Sequence, residues 1–360
     1  MDSALISMLE LIDRPAFTVR DNKIHHLNAA AKGLLLRPQE DILPLLLTGH
    51  AEYQTFSQGC LCLQLCLGAQ ARSATVTSLG DEKLFIVEAP AEDASLRSMA
   101  LSARSLRDPL SDIMASTDQL AAYLDDAENA ALRSQLTRIN RNAIRLLRQI
   151  ANMSDAYSYA QKPQSGMRVQ CVNAVLDEIF DRVQVFLASA QRQIVYQGSN
   201  RLASALVDET MLERLVLNLL SNALKFAPTG PDIQARLTVE SNTAHLTIHD
   251  PASLLSNQDL GAMFLRYQRA PSMEDSSQGI GLGMTLVRLA AESHGGALLV
   301  SQAPQGGVVY SVSMPLRQPE ETVSDHGLHT DYAGGIDHVL LELSDILPAD
   351  YYSPDETASL

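Results

Sequence analysis

The sequence predicts an α+β chain of several domains, on three observations. Its 360 residues leave room for two or three hydrophobic cores. After Ala91 the apolar pattern changes from the two-residue alternation of strands to the three-to-four-residue spacing of helices. Beyond Met167 short apolar runs alternate with helical stretches, the pattern of a mixed sheet covered by helices. These shifts divide the chain into residues 1–91, 92–161, 162–316 and 317–360.

Composition narrows the function class. With 46% hydrophobic and 19% charged residues the chain reads as globular, and no apolar run reaches the eighteen residues of a membrane span. The N-terminus MDSALISMLELIDR has neither a basic start nor a small-residue cleavage site, so no export signal is read and the cytosol is the expected compartment. A net charge of −15 argues against nucleic acid or an anionic membrane as a general partner.

Residues 14–36 read as strand, Asp-Asn turn, strand and a short helix from about Asn28. In the strand CLCLQLC, alternation puts Cys60, Cys62 and Cys66 on one face and Leu61, Leu63 and Leu65 on the other. Three thiols on one face could hold zinc, but paired C-x-x-C spacing is absent, and a strand using cysteine as a small hydrophobe reads better. His25 and His26 are neighbours on a strand and should point to opposite faces, which favours a surface role over haem or metal.

The first helix of the next unit carries Leu96, Met99, Ala103, Leu106, Leu110, Ile113, Thr117 and Leu120, with Pro109 set in its middle. The second carries Leu132, Leu136, Ile139, Ala143, Leu146, Ile150 and Met153. A two-helix hairpin cannot bury such a seam alone, so a homodimer with a four-helix bundle is expected. Arg138, Arg141, Arg145 and Arg148 form a basic stripe on the second helix, beside the expected place of Arg104 and Arg107. It reads either as a solvated face or as a dock for an acidic surface.

After the break KPQSGMR at 162–168 come MRVQCV, a helix from about Asn173, QIVYQ, the helix MLERLVLNLLSNALKF, and the strands RLTVES and AHLTIHD. In NLLSNALKF, Asn218, Asn222 and Lys225 stand at i, i+4 and i+7 on one helix face. Amides suit magnesium that carries phosphate and water, and a lysine one turn on meets phosphate charge. QGIGLGM places Gly279, Gly281 and Gly283 where backbone can approach phosphates ahead of a helix. Past Arg317 ten acids face no further lysine or arginine, and IDHVLLELSDIL at 336–347 predicts a short docked helix. That acidic extension reads as a solvated terminus or as a regulatory segment.

Taken together, residues 92–316 resemble a sensor histidine kinase. NLLSNALKF resembles the N box, MFLRYQRA at 263–270 the F box, QGIGLGMTLV the second glycine box, and ESHGGALLVSQAPQGGVVYSVSMPL the closing helix and hairpin of the ATP-binding domain. The resemblance implies an α/β sandwich of the Bergerat ATP-binding type (HATPase_c) preceded by HisKA-type dimerisation helices. The strand and helix order of residues 1–91 resembles a PAS sensor. It further implies Mg-ATP as cofactor, with Asn222 and Asn218 as metal ligands, Lys225 on phosphate, Asp250 on the adenine amino group, and Gly279, Gly281 and Gly283 around the phosphates. The first glycine box departs from the family, because DPASLL at 250–255 has Ala252 and Leu254 in place of its two glycines.

ARSLRDPL at 103–110 resembles the H box, with Arg107, Pro109 and Leu110 matching and Arg104 at the phosphoacceptor position. A neutral imidazole attacks phosphorus, whereas a guanidinium is protonated at any ordinary pH and offers donors only. Ser105 replaces the family's acid beside that position, Asp108 replaces the threonine or asparagine that orients water for phosphatase action, and no histidine occurs between His50 and His245. The expectation is a two-component pseudokinase that binds Mg-ATP and regulates a response-regulator receiver domain or a partner histidine kinase. The alternative is an active kinase that phosphorylates a histidine of a partner protomer, or a serine such as Ser105 in cis.

Overall fold

The computed structural model describes residues 2–34, 36–88, 94–124, 129–161, 166–188, 192–227, 229–256, 260, 282–317 and 335–353. The F box and Gly279 and Gly281 lie outside these residues. The chain opens with a helix that the sequence reading did not anticipate, α1 (Asp2–Glu10), which packs through Leu9. There follow β1 (Ala16–Arg20), β2 (Lys23–Leu27), α2 (Ala29–Lys32), α3 (His50–Thr55), β3 (Cys60–Leu67), β4 (Gln70–Leu79) and β5 (Glu82–Val87). As the Asp-Asn turn predicts, Asp21 and Asn22 adopt left-handed backbone between β1 and β2. Asn28 caps α2 by accepting from Ala31 N.

The five strands form an antiparallel unit in the order β2-β1-β5-β4-β3. The predicted alternation of β3 holds. Leu61, Leu63 and Leu65 enter a core with Phe17, Tyr53 and Phe85, while Cys60 and Cys62 face the larger core of the second half of the chain. Cys66 is half-buried.

Two long helices come next, α4 (Ala94–Ala122) and α5 (Ala130–Gln161), which at 1.5 Å per residue are about 44 and 48 Å long. α4 runs through Pro109 without a break. One side of the hairpin is buried, through Ala103, Leu110, Leu136, Ile144 and Leu147. The other leaves Leu106, Ile113, Leu120, Leu132, Ile139 and Leu146 each about half exposed in the single chain. Leu110 and Leu136, expected at the seam between copies, are instead covered within the chain. No helix among the described residues is long and apolar enough to cross a membrane.

The remainder comprises β6 (Arg168–Cys171), α6 (Val172–Leu187), β7 (Ile194–Gln197), β8 (Ser204–Val207), α7 (Glu209–Phe226), β9 (Ile233–Glu240), β10 (Thr243–Asp250), α8 (Leu282–Ser293), β11 (Leu298–Gln302), β12 (Val308–Pro315) and α9 (His338–Glu342). β11, β12, β10 and β9 pair antiparallel, and β7 joins β9 in parallel, giving the mixed sheet expected. Helices α6, α7 and α8 pack on this sheet around Phe180, Leu215, Leu219, Val287, Ile248 and Val312. β6 and β8 form a separate two-stranded ladder.

The two sheets are one. β3 pairs antiparallel with β11, Leu298 opposite Cys62 and Val300 opposite Cys60, so ten strands run on without interruption. At the join Gly59 has φ +96°, and a Cβ there would sit 2.2 Å from the Val300 carbonyl oxygen, so no other residue fits. Side chains reinforce the seam. Arg288 pairs with Glu88 at 3.2 Å, and Ser73 donates to Glu292 at 2.6 Å.

Candidate functional site

The three polar residues predicted on one face of α7 are on it. Asp208 caps this helix by accepting from Met211 N, Glu209 stands in the first turn and Lys225 in the last, matching the helix dipole at both ends. Asn218 is 1% exposed, and its Nδ2 donates to Arg214 O at 2.9 Å. Asn222 and Lys225 are half-buried. Gly283 at the start of α8 faces Asn218, whose Oδ1 would lie 2.8 Å from a Cβ added there.

Asp250 ends β10, 1% exposed, and accepts from Ala252 N at 3.1 Å. Gly307, at φ +83°, lets the β11–β12 turn approach it, since a Cβ would fall 2.2 Å from the Asp250 carbonyl oxygen. Leu254, in the second eroded glycine position, is 97% exposed.

A residue that sequence reasoning passed over organises this end of the site. Arg192 is 1% exposed and donates to Asp250 Oδ1, to Ala227 O at 2.7 Å and to Pro231 O at 2.6 Å. It ties the acid on β10 to the last turn of α7, where Lys225 lies. A lone cation immediately before the apolar strand QIVYQ was the available signal.

The C-terminal helix was also more than a docked terminus. α9 spans only His338–Glu342, shorter than the predicted 336–347, and a 3-10 turn follows at Ala349–Tyr352. Val339, Leu340, Leu341, Leu343, Leu347 and Tyr352 are buried in the main core. The basic stripe of α5 is occupied by this segment. Arg141 donates to Ser344 O at 3.2 Å and Leu347 O at 2.8 Å, Arg145 pairs with Asp345 at 3.2 Å, and Arg148 pairs with Glu342 at 2.8 Å. Arg138 lies outside this contact, bonded to Gln135. Burial lowers the Arg141 guanidinium, with Arg145 adding to the shift, and burial raises the Tyr352 phenol.

The H-box positions lie elsewhere. Arg104, Ser105 and Asp108 are exposed on α4, and the Ser105 hydroxyl donates to Ser102 O at 2.9 Å within its own helix.

Two other clusters carry metal-ligating side chains. Cys60 and Cys62 are free and buried, and the hydrogen bond between them together with burial pushes the Cys60 thiol up, away from the thiolate a metal needs. His25 and His26 do not diverge as alternation predicts. The β1–β2 pairing shifts register between Phe17 and Val19, and the two rings lie 4.0 Å apart. With Glu82 their ligand atoms fall within 4.8 Å of one another. Glu82 is already held by Arg20 at 2.8 Å and His25 at 2.6 Å, the arrangement of an ion-pair cluster. Burial raises that carboxyl, but hydrogen bonds from Thr18 and His25, with Arg20, outweigh it and hold it low.

Comparison with known proteins bears on the α7 to β12 unit. Residues 207–318 match the family described as histidine kinase-, DNA gyrase B- and HSP90-like ATPase. The sensor histidine kinase TmoS of Ectopseudomonas mendocina is 31% identical over 225 residues, 60% of this chain and 22% of that one. The histidine protein kinase DivJ of Caulobacter vibrioides is 29% identical over 228 residues, 61% of this chain and 37% of that one. Over about 60% of its length the chain is similar to sensor histidine kinases, and residues 207–318 carry the ATPase domain of that family model. It spans well under half the length of these two relatives. Among solved structures, full-length ShkA in complex with AMPPNP superposes with a TM-score of 0.48 at 19% identity, over 62% of this chain and 46% of that one.

As a member of an ATP-binding family, the kinase-type domain can be tested for fit to nucleotide. Two buried polar atoms of the site have no hydrogen-bond partner among the described residues, Asp250 Oδ2 and Asn222 Nδ2. One is an acceptor and the other a donor, and an aminopurine and a phosphate oxygen are the complementary groups. The residues present therefore fit ATP.

Proposed function

We propose that the chain is a two-component pseudokinase, a nucleotide-responsive binding module in place of a phosphoryl donor. Residues 1–91 act as a PAS-like sensor, 92–161 as the dimerisation hairpin and 162–316 as the ATP-binding domain. Two copies pair their hairpins into a four-helix bundle, and the half-exposed stripe of Leu106, Ile113, Ile139 and Leu146 supports that pairing. Its output partner is a response-regulator receiver domain or a second histidine kinase.

In the ATP-binding domain Asn222 and Asn218 would hold magnesium, Lys225 the phosphates and Asp250 the adenine amino group, with Gly279, Gly281 and Gly283 around the polyphosphate. Bound Mg-ATP would offer a γ-phosphoryl group, for which the H-box position holds no acceptor. The observation that carries the reading is Arg104, an exposed guanidinium on α4 at the position of the phosphate acceptor. It has no lone pair to offer phosphorus at any ordinary pH. The Ser105 hydroxyl donates to Ser102 O within its own helix, which disfavours serine transfer in cis.

Incubation with γ-labelled ATP, alone and with candidate partners, tests this. The chain alone should incorporate no label, either acid-labile or acid-stable. Phosphohistidine or phosphoserine mapped to this chain in isolation would refute the pseudokinase reading.

A further inference from the structure

The face of α7 that the nucleotide reading assigns to phosphate is covered by the chain's own carboxylates. Glu342 has no solvent exposure. Its Oε2 lies 2.8 Å from Arg148 Nε and 3.5 Å from Asn218 Nδ2, and its Oε1 lies 3.2 Å from Arg214 Nη2. Three residues on, Asp345 Oδ2 is 3.4 Å from both Lys225 Nζ and Arg148 Nη1. Two negative charges thus meet Asn218 and Lys225, the residues expected at the magnesium and the phosphates of a bound nucleotide. A buried carboxylate requires partners of this kind, since its desolvation is offset only by close opposite charge and hydrogen bonds.

We propose that residues 335–353 form a cis-acting inhibitor whose Glu342 and Asp345 carboxylates stand in for nucleotide phosphates on α7. The inference rests on the nucleotide-binding reading above. The segment is also anchored by contacts other than those of Glu342 and Asp345. Leu340 and Tyr352 are fully buried, the Tyr352 hydroxyl donates to Leu340 O at 3.0 Å, and Asn140 donates to Tyr352 O at 3.1 Å. Its N-terminal end is clamped by Arg182, which pairs with Asp337 at 2.9 Å and with Glu213 at 2.7 Å.

A polyphosphate entering at Asn218 and Lys225 would meet like charge at Glu342 and Asp345, so the segment and the polyphosphate exclude one another. Apparent affinity then falls by the fraction of chains in which the segment is undocked. The same movement uncovers Arg141 and Arg145, so phosphate binding and exposure of the α5 basic face are one event.

The test is titration calorimetry of the full chain with Mg-ATP, inorganic triphosphate and adenosine. It compares the natural protein with Glu342→Gln/Asp345→Asn and with Asp345→Asn alone, an exposed position whose neutralisation spares the core. The double variant should bind Mg-ATP and triphosphate at least tenfold more tightly and the single variant by a smaller factor, with adenosine unchanged. In the natural protein, saturating triphosphate should also strip hydrogen-exchange protection from the amides of 335–353.

Equal triphosphate affinity in all three proteins, an equal gain for adenosine, or unchanged protection would each overturn the proposal. Mg-ATP bound equally by all three would overturn it while leaving the nucleotide reading intact. Triphosphate that prefers the variants, with no binding of ATP or adenosine by any form, would overturn the nucleotide reading alone. Binding of no probe by any form would overturn both.

Discussion

Arg192→Met isolates what holds Asp250 in place. Both side chains are 1% exposed, and the guanidinium bonds the carboxylate and two backbone carbonyls at 2.6–2.7 Å. Methionine keeps the apolar stem and removes the charge, leaving Asp250 with a buried negative charge and, among the described residues, only the Ala252 amide as a donor. Breaking one partner out of a buried ion pair costs about 3–5 kcal/mol. At roughly 2–4 °C per kcal/mol for a cooperative unit of 150–250 residues, the melting temperature should fall by about 6–20 °C. Scanning calorimetry and urea titration measure it. Asp250→Asn in the Arg192→Met background should recover part of the loss, a coupling of about 1–3 kcal/mol. An Arg192→Met protein within about 1 kcal/mol of the natural one would refute the reasoning, and would mean that the carboxylate is held by something other than its ion pair.

Two further outcomes are expected. Ile139→Glu and Leu106→Glu, on the half-exposed face of the hairpin, should convert a dimer to monomers in sedimentation at about 10 µM, since each large side chain contributes roughly 1.5–3 kcal/mol when covered. A natural chain that sediments as a monomer would contradict the seam. His294 is buried and neutral, its Nδ1 bonded to Ala290 O at 2.7 Å and its Nε2 accepting from Asp208 N at 3.3 Å, and burial lowers its pKa from 6.5. A lowered folded-state pKa means stability present above pH 6.5 and lost as pH falls through the folded value. The urea midpoint should therefore drop below about pH 6.5, and His294→Asn should flatten that limb; an identical slope in the variant would rule the imidazole out.

Much of the architecture was legible because it is local. The i, i+4, i+7 spacing placed Asn218, Asn222 and Lys225 on one helix face, and the even spacing of Cys60 and Cys62 put them on one side of β3. Periodicity records which face of an element is apolar, and both cases needed no more. What escaped depends on contacts between distant segments. Glu342, an acid inside the apolar run HVLLELS, could be seen as anomalous, but its partners Arg148 and Arg214 lie more than a hundred residues away. Arg192 and Asp250 are likewise joined only by the fold. The β1–β2 register shift that brings His25 and His26 together is a matter of pairing that alternation cannot express. The contact of β3 with β11 is made by backbone groups, which every residue carries.

That contact sets how the two halves of the molecule can influence one another. β3, β11, β12 and β10 are successive neighbours, so only two strands separate the first domain's sheet from the strand that ends in Asp250. The halves cannot rotate against each other without parting the three-residue β3–β11 register, the Arg288–Glu88 pair and the Ser73–Glu292 hydrogen bond. They are joined edge to edge as one sheet, with α4 and α5 packed into the core of its second half. A molecule that bound the first domain and altered the twist of β3 would do mechanical work on the pocket of Asp250. By reciprocity, whatever filled that pocket would alter the first domain's affinity by the same factor.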